Sequence, residues 1–575
     1  MRRLFISDSK RSRLKIGFRL LAVTIGILQH WVNRHAMNPD GVSYLDVADA
    51  YLRGDWKMAV NAMWSPLYSW FLAVALALFK PSPYWEFPVV QLVNFMIYLC
   101  ALICFEFFLR ELLCFRRAQT AEGTGNGWAT FPEWALIALG YVLFIWSSVY
   151  LMKMNLGRVH PDTCVAAVVY LASGISLRIR RGATDWPTFI ALGIVLGIGY
   201  LAKAPMFPLA FIFLAVSLFL VGNLRRAAPR ASIAFALFLS LSVPLIVALS
   251  TAKGRLTFGD SGRVNYAWKV NEMGVYWQGE PPGSGAPAHP VRKLFDAPAI
   301  YEYGTPISST YPLHYDPSYW MEGASPHFEL KPQIHVLLSS MRTCYVTLFD
   351  IHGSLIVGLF ILFYMGRRGW LTVRDISEYW FLLTPALAAL VMYSLVHVEQ
   401  RYIAPFVVLL YMALFSGVRL PDSQESKRLL KAIMMTILVM FFIYISPSTT
   451  HAAYLTAQDL FKGEASRRNV PWQVADGLKR IGVQPGDKVA LIIAGDPYDS
   501  SMWARLDRLR IIAEVPTGDA DDFWTASSSV KNQVLQTFAR AGAKLVVTDK
   551  SPTLATADGW QKIDDTDYHA YFLSK

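Results

Sequence analysis

Charge is scarce in this chain. Only 17% of its 575 residues are Asp, Glu, Lys or Arg, whereas 54% are hydrophobic and 14% aromatic; soluble globular domains carry about a quarter charged residues. With a mean hydropathy of +0.33, that shortage excludes a soluble protein and points to a polytopic membrane protein. Cysteine is nearly absent too. The five residues Cys100, Cys104, Cys114, Cys164 and Cys344 are odd in number and lack metal-ligand spacing, so they give neither a disulfide framework nor a zinc site. Also missing are a GxGxxG dinucleotide fingerprint, an internal repeat, a low-complexity tract, and a small-residue cleavage site behind the basic start MRRLFISDSKRSRLK. The first apolar run therefore reads as a retained span. The net charge of +12 forms no basic face for nucleic acid, because Arg and Lys sit in short runs between apolar stretches.

What the chain does have is length of apolar sequence. A helix crossing the hydrocarbon needs about 20 mostly apolar residues, and such runs lie near 15–33, 88–110, 133–151, 162–178, 186–203, 205–222, 231–250, 343–366, 378–396, 402–418 and 429–447. Short loops rich in Lys and Arg stay cytoplasmic. The loops at 1–16, 110–132, 178–185, 223–230, 366–377 and 419–431 hold 22 of the 54 Lys and Arg residues. Their alternation predicts that loops 34–87 and 252–341 and the C-terminal residues lie outside. The run WSPLYSWFLAVALALF, residues 64–79, would invert every later loop if it crossed; it is expected to lie along the outer interface, with Trp64, Tyr68 and Trp70 at headgroup level. From about 468 the pattern changes to short strands at 488–494, LRIIAEV and AKLVVTDK, with helices around them, which predicts a small α/β domain with a partly parallel sheet over 468–575.

The outer side gathers an unusual polar set. Residues 35–56, HAMNPDGVSYLDVADAYLRGDW, carry four aspartates directly after the first span. Asp40 with Tyr44 and Asp46, Arg158 with His160 and Asp162, Lys203, and His397 with Glu399 and Arg401 then share one membrane depth, where ionisable groups mark functional candidates. Each has an ordinary reading as well. Asp40 and Asp162 read equally as helix N-caps, Lys203 as a snorkelling lysine, and Arg401 as the partner of Glu399. In the long loop, SSTYPLHYDPSYWMEG at 308–323 combines four aromatic rings with His314, Asp316 and Glu322, a composition suited to sugar rings and equally to a self-packed lid. Arg255 and Arg263 could meet phosphate or lipid headgroups.

An Asp in the first outer loop (NPDGVSY), a Pro-Asp opening the fourth span (RVHPDT), the span end GYLAKAP and a late E-x-R-Y together resemble the GT-C superfamily of membrane glycosyltransferases, in the style of the protein O-mannosyltransferase and lipid A aminoarabinose transferase group. The resemblance covers roughly 10–450. It implies about 11–13 transmembrane helices in a GT-C-like module over 1–450, and transfer of a sugar from a polyprenyl-phosphate donor to a glycan, lipid or protein acceptor. Asp40 would be the catalytic base and Asp162 the second acidic residue. Lys203, Arg401 and Arg158 would hold the donor phosphate, while Tyr44, His160, His314, Asp316, Glu399 and Tyr402 would contact substrate. No metal or cofactor is required, since Lys and Arg alone can stabilise a departing phosphate; a weak divalent site between the two aspartates stays open. One departure leaves the sugar open: the aminoarabinose pattern has an Asp-Glu pair followed by Lys-Pro-Pro, where this chain has PDG and then WSPLYSW. A bacterial inner membrane, with the C-terminal domain periplasmic, is the expected setting. A flippase of lipid-linked saccharides and a surface polysaccharide polymerase or ligase are the alternatives.

Overall fold

In lipid a backbone must satisfy its own polar groups, so each apolar run folds as a helix. The computed structural model describes residues 8–122, 128–150, 157–349, 353–365, 374–463, 469–549 and 559–573. Among the described residues six helices are long and apolar enough to cross a membrane: Pro83–Gln119, Glu133–Tyr150, Asp162–Arg180, Leu224–Lys253, Gln400–Gly417 and Gln424–Lys462. The first helix, Asp8–Val32, is long but charged at its start, and three shorter apolar helices, Trp186–Ala202, Met206–Leu220 and Trp380–Ser394, complete the bundle. Small residues let backbones close up. A Cβ on Gly193 would lie 2.8 Å from Ala234 Cα, so glycine is what allows Trp186–Ala202 to pack directly on Leu224–Lys253.

Two spans differ from expectation. The run at 343–366 comes as two helices, Leu330–Phe349 and Gly353–Met365, with a 73° bend between them. The loop expected to end at 341 thus becomes helical from Leu330, because LKPQIHVLLSSM already carries a helical apolar period. Most of the basic loop 366–377 lies outside the described residues. The last of the long apolar helices, Gln424–Lys462, runs 15 residues past the expected end at 447 before Gly463 closes it in the left-handed conformation at φ 65°. At 1.5 Å per residue its 39 residues reach about 58 Å, well beyond one bilayer core. Its far end is tied back to the first span by Arg34, 2.7 Å from Asp459.

The strands are β1 (Trp128–Thr130), β2 (Arg292–Asp296), β3 (Ala299–Glu302), β4 (Arg419–Pro421), β5 (Lys488–Ile492), β6 (Arg510–Val515), β7 (Leu545–Thr548), β8 (Gln561–Lys562) and β9 (His569–Phe572). β1 and β4 form a two-stranded ribbon joining two of the basic loops. The other seven make one sheet in the order β2-β3-β6-β5-β7-β9-β8. Its parallel centre, β6-β5-β7, reads as near-continuous apolar sequence because both faces are covered. Two of its strands, β2 and β3, come from the long outer loop, with Tyr301 and Glu302 paired to Glu514 and Ala513. The boundary expected at 468 therefore divides the chain but not the sheet.

Candidate functional site

Four helix ends converge. Asp40 is the second residue of the helix Pro39–Leu52, Asp162 opens Asp162–Arg180, Lys203 directly follows Trp186–Ala202, and Arg401 is the second residue of Gln400–Gly417. Neither aspartate is an N-cap; those positions belong to Asn38 and Pro161. Asn38 Oδ1 instead accepts the Val159 backbone N–H at 2.7 Å, stitching the first outer loop to the second. Gly41 makes the approach fit, since a Cβ there would lie 2.7 Å from Val159 Cβ.

Arg401 stands at the centre. Its guanidinium lies 3.6 Å from Asp40 Oδ2, 3.4 Å from Asp162 Oδ2 and 2.7 Å from Glu399 Oε2. Lys203 Nζ donates to Asp162 Oδ1 at 2.5 Å and sits 3.6 Å above the Tyr402 ring, a cation–π contact. His160 Nδ1 is 3.3 Å from Asp162 Oδ2, and His397 Nε2 is 3.5 Å from Glu399. The helices at Asp40, Asp162 and Arg401 all present their positive N-terminal ends here, which favours anions. Asp162 is 5% and Arg401 9% exposed, whereas Asp40 is 26% exposed and the more accessible carboxylate. Arg401 Nη1 has no hydrogen-bond partner among the described residues, so a buried donor is available to an anionic ligand.

Burial and charge pull in opposite directions on these groups. Burial lowers Lys203 from the usual lysine range although Asp162 opposes it. It holds His160 at about 4, so that imidazole is neutral at pH 7. Burial pushes Glu399 up, but His397, Arg401 and Lys203 outweigh it and keep its carboxyl well below the ordinary range.

An aromatic wall flanks Asp40. His314 Nε2 is 3.6 Å from Asp40 Oδ1, and its Nδ1 is 2.9 Å from Ser43 Oγ. The His314 ring packs on Trp64 at 5.4 Å and on Tyr498, from the C-terminal domain, at 5.0 Å. Tyr44 is buried between Trp64 and Tyr68, and supports this wall from behind.

Some expected members sit elsewhere. Asp316 caps the short helix Pro317–Trp320, accepting from the Tyr319 N–H and from Ser318, because its place before a proline makes it an ideal N-cap. Arg255 and Arg263 pair with Glu322 beside Lys253 and Asp260. Arg158 is half-buried in the same loop as His160 and Asp162. Ser43, Trp64 and Tyr498 were not anticipated; the aromatic-rich outer run marked Trp64, but nothing in the local sequence marks the other two. Among the described residues no three His, Cys, Asp or Glu side chains are grouped to hold a metal ion, and Arg401 stands between the two aspartates.

Asp40 and Asp162 both touch Arg401, and two candidate spans, Pro83–Gln119 and Glu133–Tyr150, lie between them in the chain. Pro66–Phe79, 14 residues and about 21 Å long, is shorter than these and packs back on the site, where Ser69 donates to the Tyr44 carbonyl at 3.0 Å.

No family profile matches the sequence, and no curated protein matches it. Solved structures do match. ArnT from Cupriavidus metallidurans in the apo state superposes with a TM-score of 0.51 at 12% identity, covering 96% of this chain and 98% of that one. The same protein bound to undecaprenyl phosphate gives 0.50 at 12%, with the same coverage. The apo oligosaccharyltransferase of Archaeoglobus fulgidus gives 0.52 at 14%, covering 95% of this chain and 70% of that one. At such identity the likeness establishes architecture: over nearly its whole length this chain shares the fold of ArnT and of the archaeal oligosaccharyltransferase, the GT-C-like architecture that the sequence resemblance implies.

Proposed function

We propose that the chain is a membrane glycosyltransferase that moves a sugar from a polyprenyl-phosphate carrier to an acceptor hydroxyl, with Asp40 as general base. The observation that carries this reading is Arg401, buried, with a donor to spare, and touching both Asp40 and Asp162 from a fourth helix end. An acceptor hydroxyl attacking the anomeric carbon must lose its proton as the bond forms, and Asp40 is the carboxylate with open access. The bond from that carbon to the phosphate oxygen breaks, and its electron pair leaves on the phosphate. Lys203 and Arg401 stabilise the charge that develops there. Asp162, buried against both cations, acts as their counter-ion and holds them in position rather than taking the proton. His160, neutral, braces Asp162, and Glu399 does the same for Arg401. The undecaprenyl phosphate bound to ArnT supports a polyprenyl phosphate as the carrier here. His314, Trp64 and Tyr498 offer ring faces to the sugar or its acceptor. The setting in this reading is a bacterial inner membrane, with the site and the C-terminal domain on its periplasmic side.

The test is transfer from a radiolabelled polyprenyl-phosphate sugar by the purified protein in lipid, with membrane extract as acceptor. Asp40→Asn is expected to lower turnover by about 10²–10⁴-fold while carrier binding persists. Undiminished turnover in this variant removes the base assignment, and carrier movement across the bilayer without any transfer favours a flippase.

A further inference from the structure

The helix that carries Asp40 near its start carries Asp46 and Asp49 farther along. With Ser43 they recur every third residue, so the four wind along the helix as one polar stripe. Two distant pieces of chain meet that stripe. The outer loop runs beside it: the Thr310 backbone N–H donates to Asp46 Oδ2 at 2.8 Å and its hydroxyl to Oδ1 at 2.9 Å, and four residues on, His314 reaches Ser43 and Asp40. From the C-terminal domain comes Arg505, in the helix Ser500–Leu506. Its Nη1 lies 2.8 Å from Asp46 Oδ1 and 2.7 Å from Asp49 Oδ2, and its Nε donates to Glu86 Oε1 at 2.6 Å. Glu86 is fully buried and also pairs with Arg508.

Arg505 is 4% exposed. Burying a guanidinium with three carboxylates costs desolvation that apolar packing would avoid, so such a network is poor glue; its best-attested use is to fix register. The geometry here is of that kind. Asp46 accepts at once from the loop and from the domain, and the domain grips the loop a second time where the Ile511 N–H donates to the Thr310 carbonyl at 2.9 Å. Sliding the loop by one residue along the helix would break the Thr310 bonds and take His314 off Asp40.

We propose that Arg505 is a positioning residue: through Asp46, Asp49 and Glu86 the C-terminal domain fixes the outer loop on the catalytic helix, so that His314 is seated against Asp40. This rests on Asp40 being the base.

The experiment compares Arg505→Ala, Arg505→Lys, Asp46→Asn and Asp40→Asn in the full-length protein in lipid nanodiscs with the radiolabelled donor. Arg505→Ala should lower kcat at least tenfold with donor KM within twofold of wild type, because a displacement of about 1 Å near the chemistry costs up to about 100-fold. Arg505→Lys, which keeps the charge without the planar fork, should recover part of kcat. Asp46→Asn, isosteric and still an acceptor for Thr310, should lower kcat in the same direction with an unchanged melting temperature. Wild-type kcat in both Arg505→Ala and Asp46→Asn, beside an inactive Asp40→Asn, overturns the positioning role alone. Loss of kcat, donor affinity and melting temperature together in all three Arg505 and Asp46 variants reduces the network to a folding contact and overturns it as well. Full turnover in Asp40→Asn removes the base reading beneath it, whatever Arg505 does.

Discussion

Replacing Glu514 by glutamine should abolish a pH dependence at the junction between the outer loop and the sheet. Glu514 lies on β6 and is fully buried; Tyr311 donates to it at 2.8 Å, and Tyr276, stacked on Tyr301, donates to it as well. Burial pushes its carboxyl up to about 7 from an ordinary 4.5; the tyrosines pull it down and Asp496 pushes it up a little further. The folded chain therefore holds a proton that the unfolded chain releases between these two values. Since stability falls with pH wherever the folded state binds more protons, the contribution is fully present below pH 4.5, is lost as pH rises to 7, and is level above. A difference of 2.5 pH units corresponds to about 3 kcal/mol at most, or about 300-fold in the opening equilibrium of this junction. Hydrogen exchange of the peptides spanning 276–311 and 510–515, measured in detergent at pH 5, 6, 7 and 8 and corrected for intrinsic exchange, reads it directly. Protection should fall across the series in wild type and stay flat in Glu514→Gln. A flat wild-type profile, or the same slope in both proteins, refutes the argument.

Other outcomes follow from the same geometry. Lys203→Met should weaken binding of a polyprenyl phosphate by about 10–100-fold, the worth of one hydrogen bond to a charged group, measured by titration in nanodiscs; a headgroup-free polyprenol should bind both proteins equally. Gly41→Val should push the Asp40 helix away from Val159, destabilising the protein by about 1–3 kcal/mol as overpacking does, with turnover reduced in step; thermal unfolding and the transfer assay check both. A single cysteine introduced at Ser82 should be labelled from the same side of the membrane as one in the C-terminal domain, the outcome expected if Pro66–Phe79 lies along the interface.

Much of the architecture was legible locally. Apolar length announces a span wherever it occurs, so ten of the eleven expected runs coincide with helices at nearly their expected places. The run at 343–366 was harder, because its only interruption is the short polar stretch 350–352 between Leu330–Phe349 and Gly353–Met365, too brief to separate two helices by apolar length alone. The strands β5, β6 and β7 were visible as apolar β-rich segments, whereas β2 and β3 are short, polar on one face and meaningful only once β6 is beside them. At the site, Asp40, Asp162, Lys203 and Arg401 were legible because each is a charged residue at the outer end of an apolar run. Asp316 was misplaced for an equally local reason: an Asp before a proline looks alike whether it caps a helix or faces a ligand.

Sequence by itself determined which segments are apolar and long enough to form spans and that several charged residues stand at their ends, because hydrophobic length acts residue by residue. Only the tertiary structure decided that Arg401 bridges two aspartates, that His314 reaches Asp40 while Asp316 caps a helix, and that Arg505 grips the Asp40 helix across 459 residues of chain. Those outcomes depend on distances of a few ångströms between groups far apart in sequence, and electrostatic partnership at that range is set by packing, which no local pattern encodes.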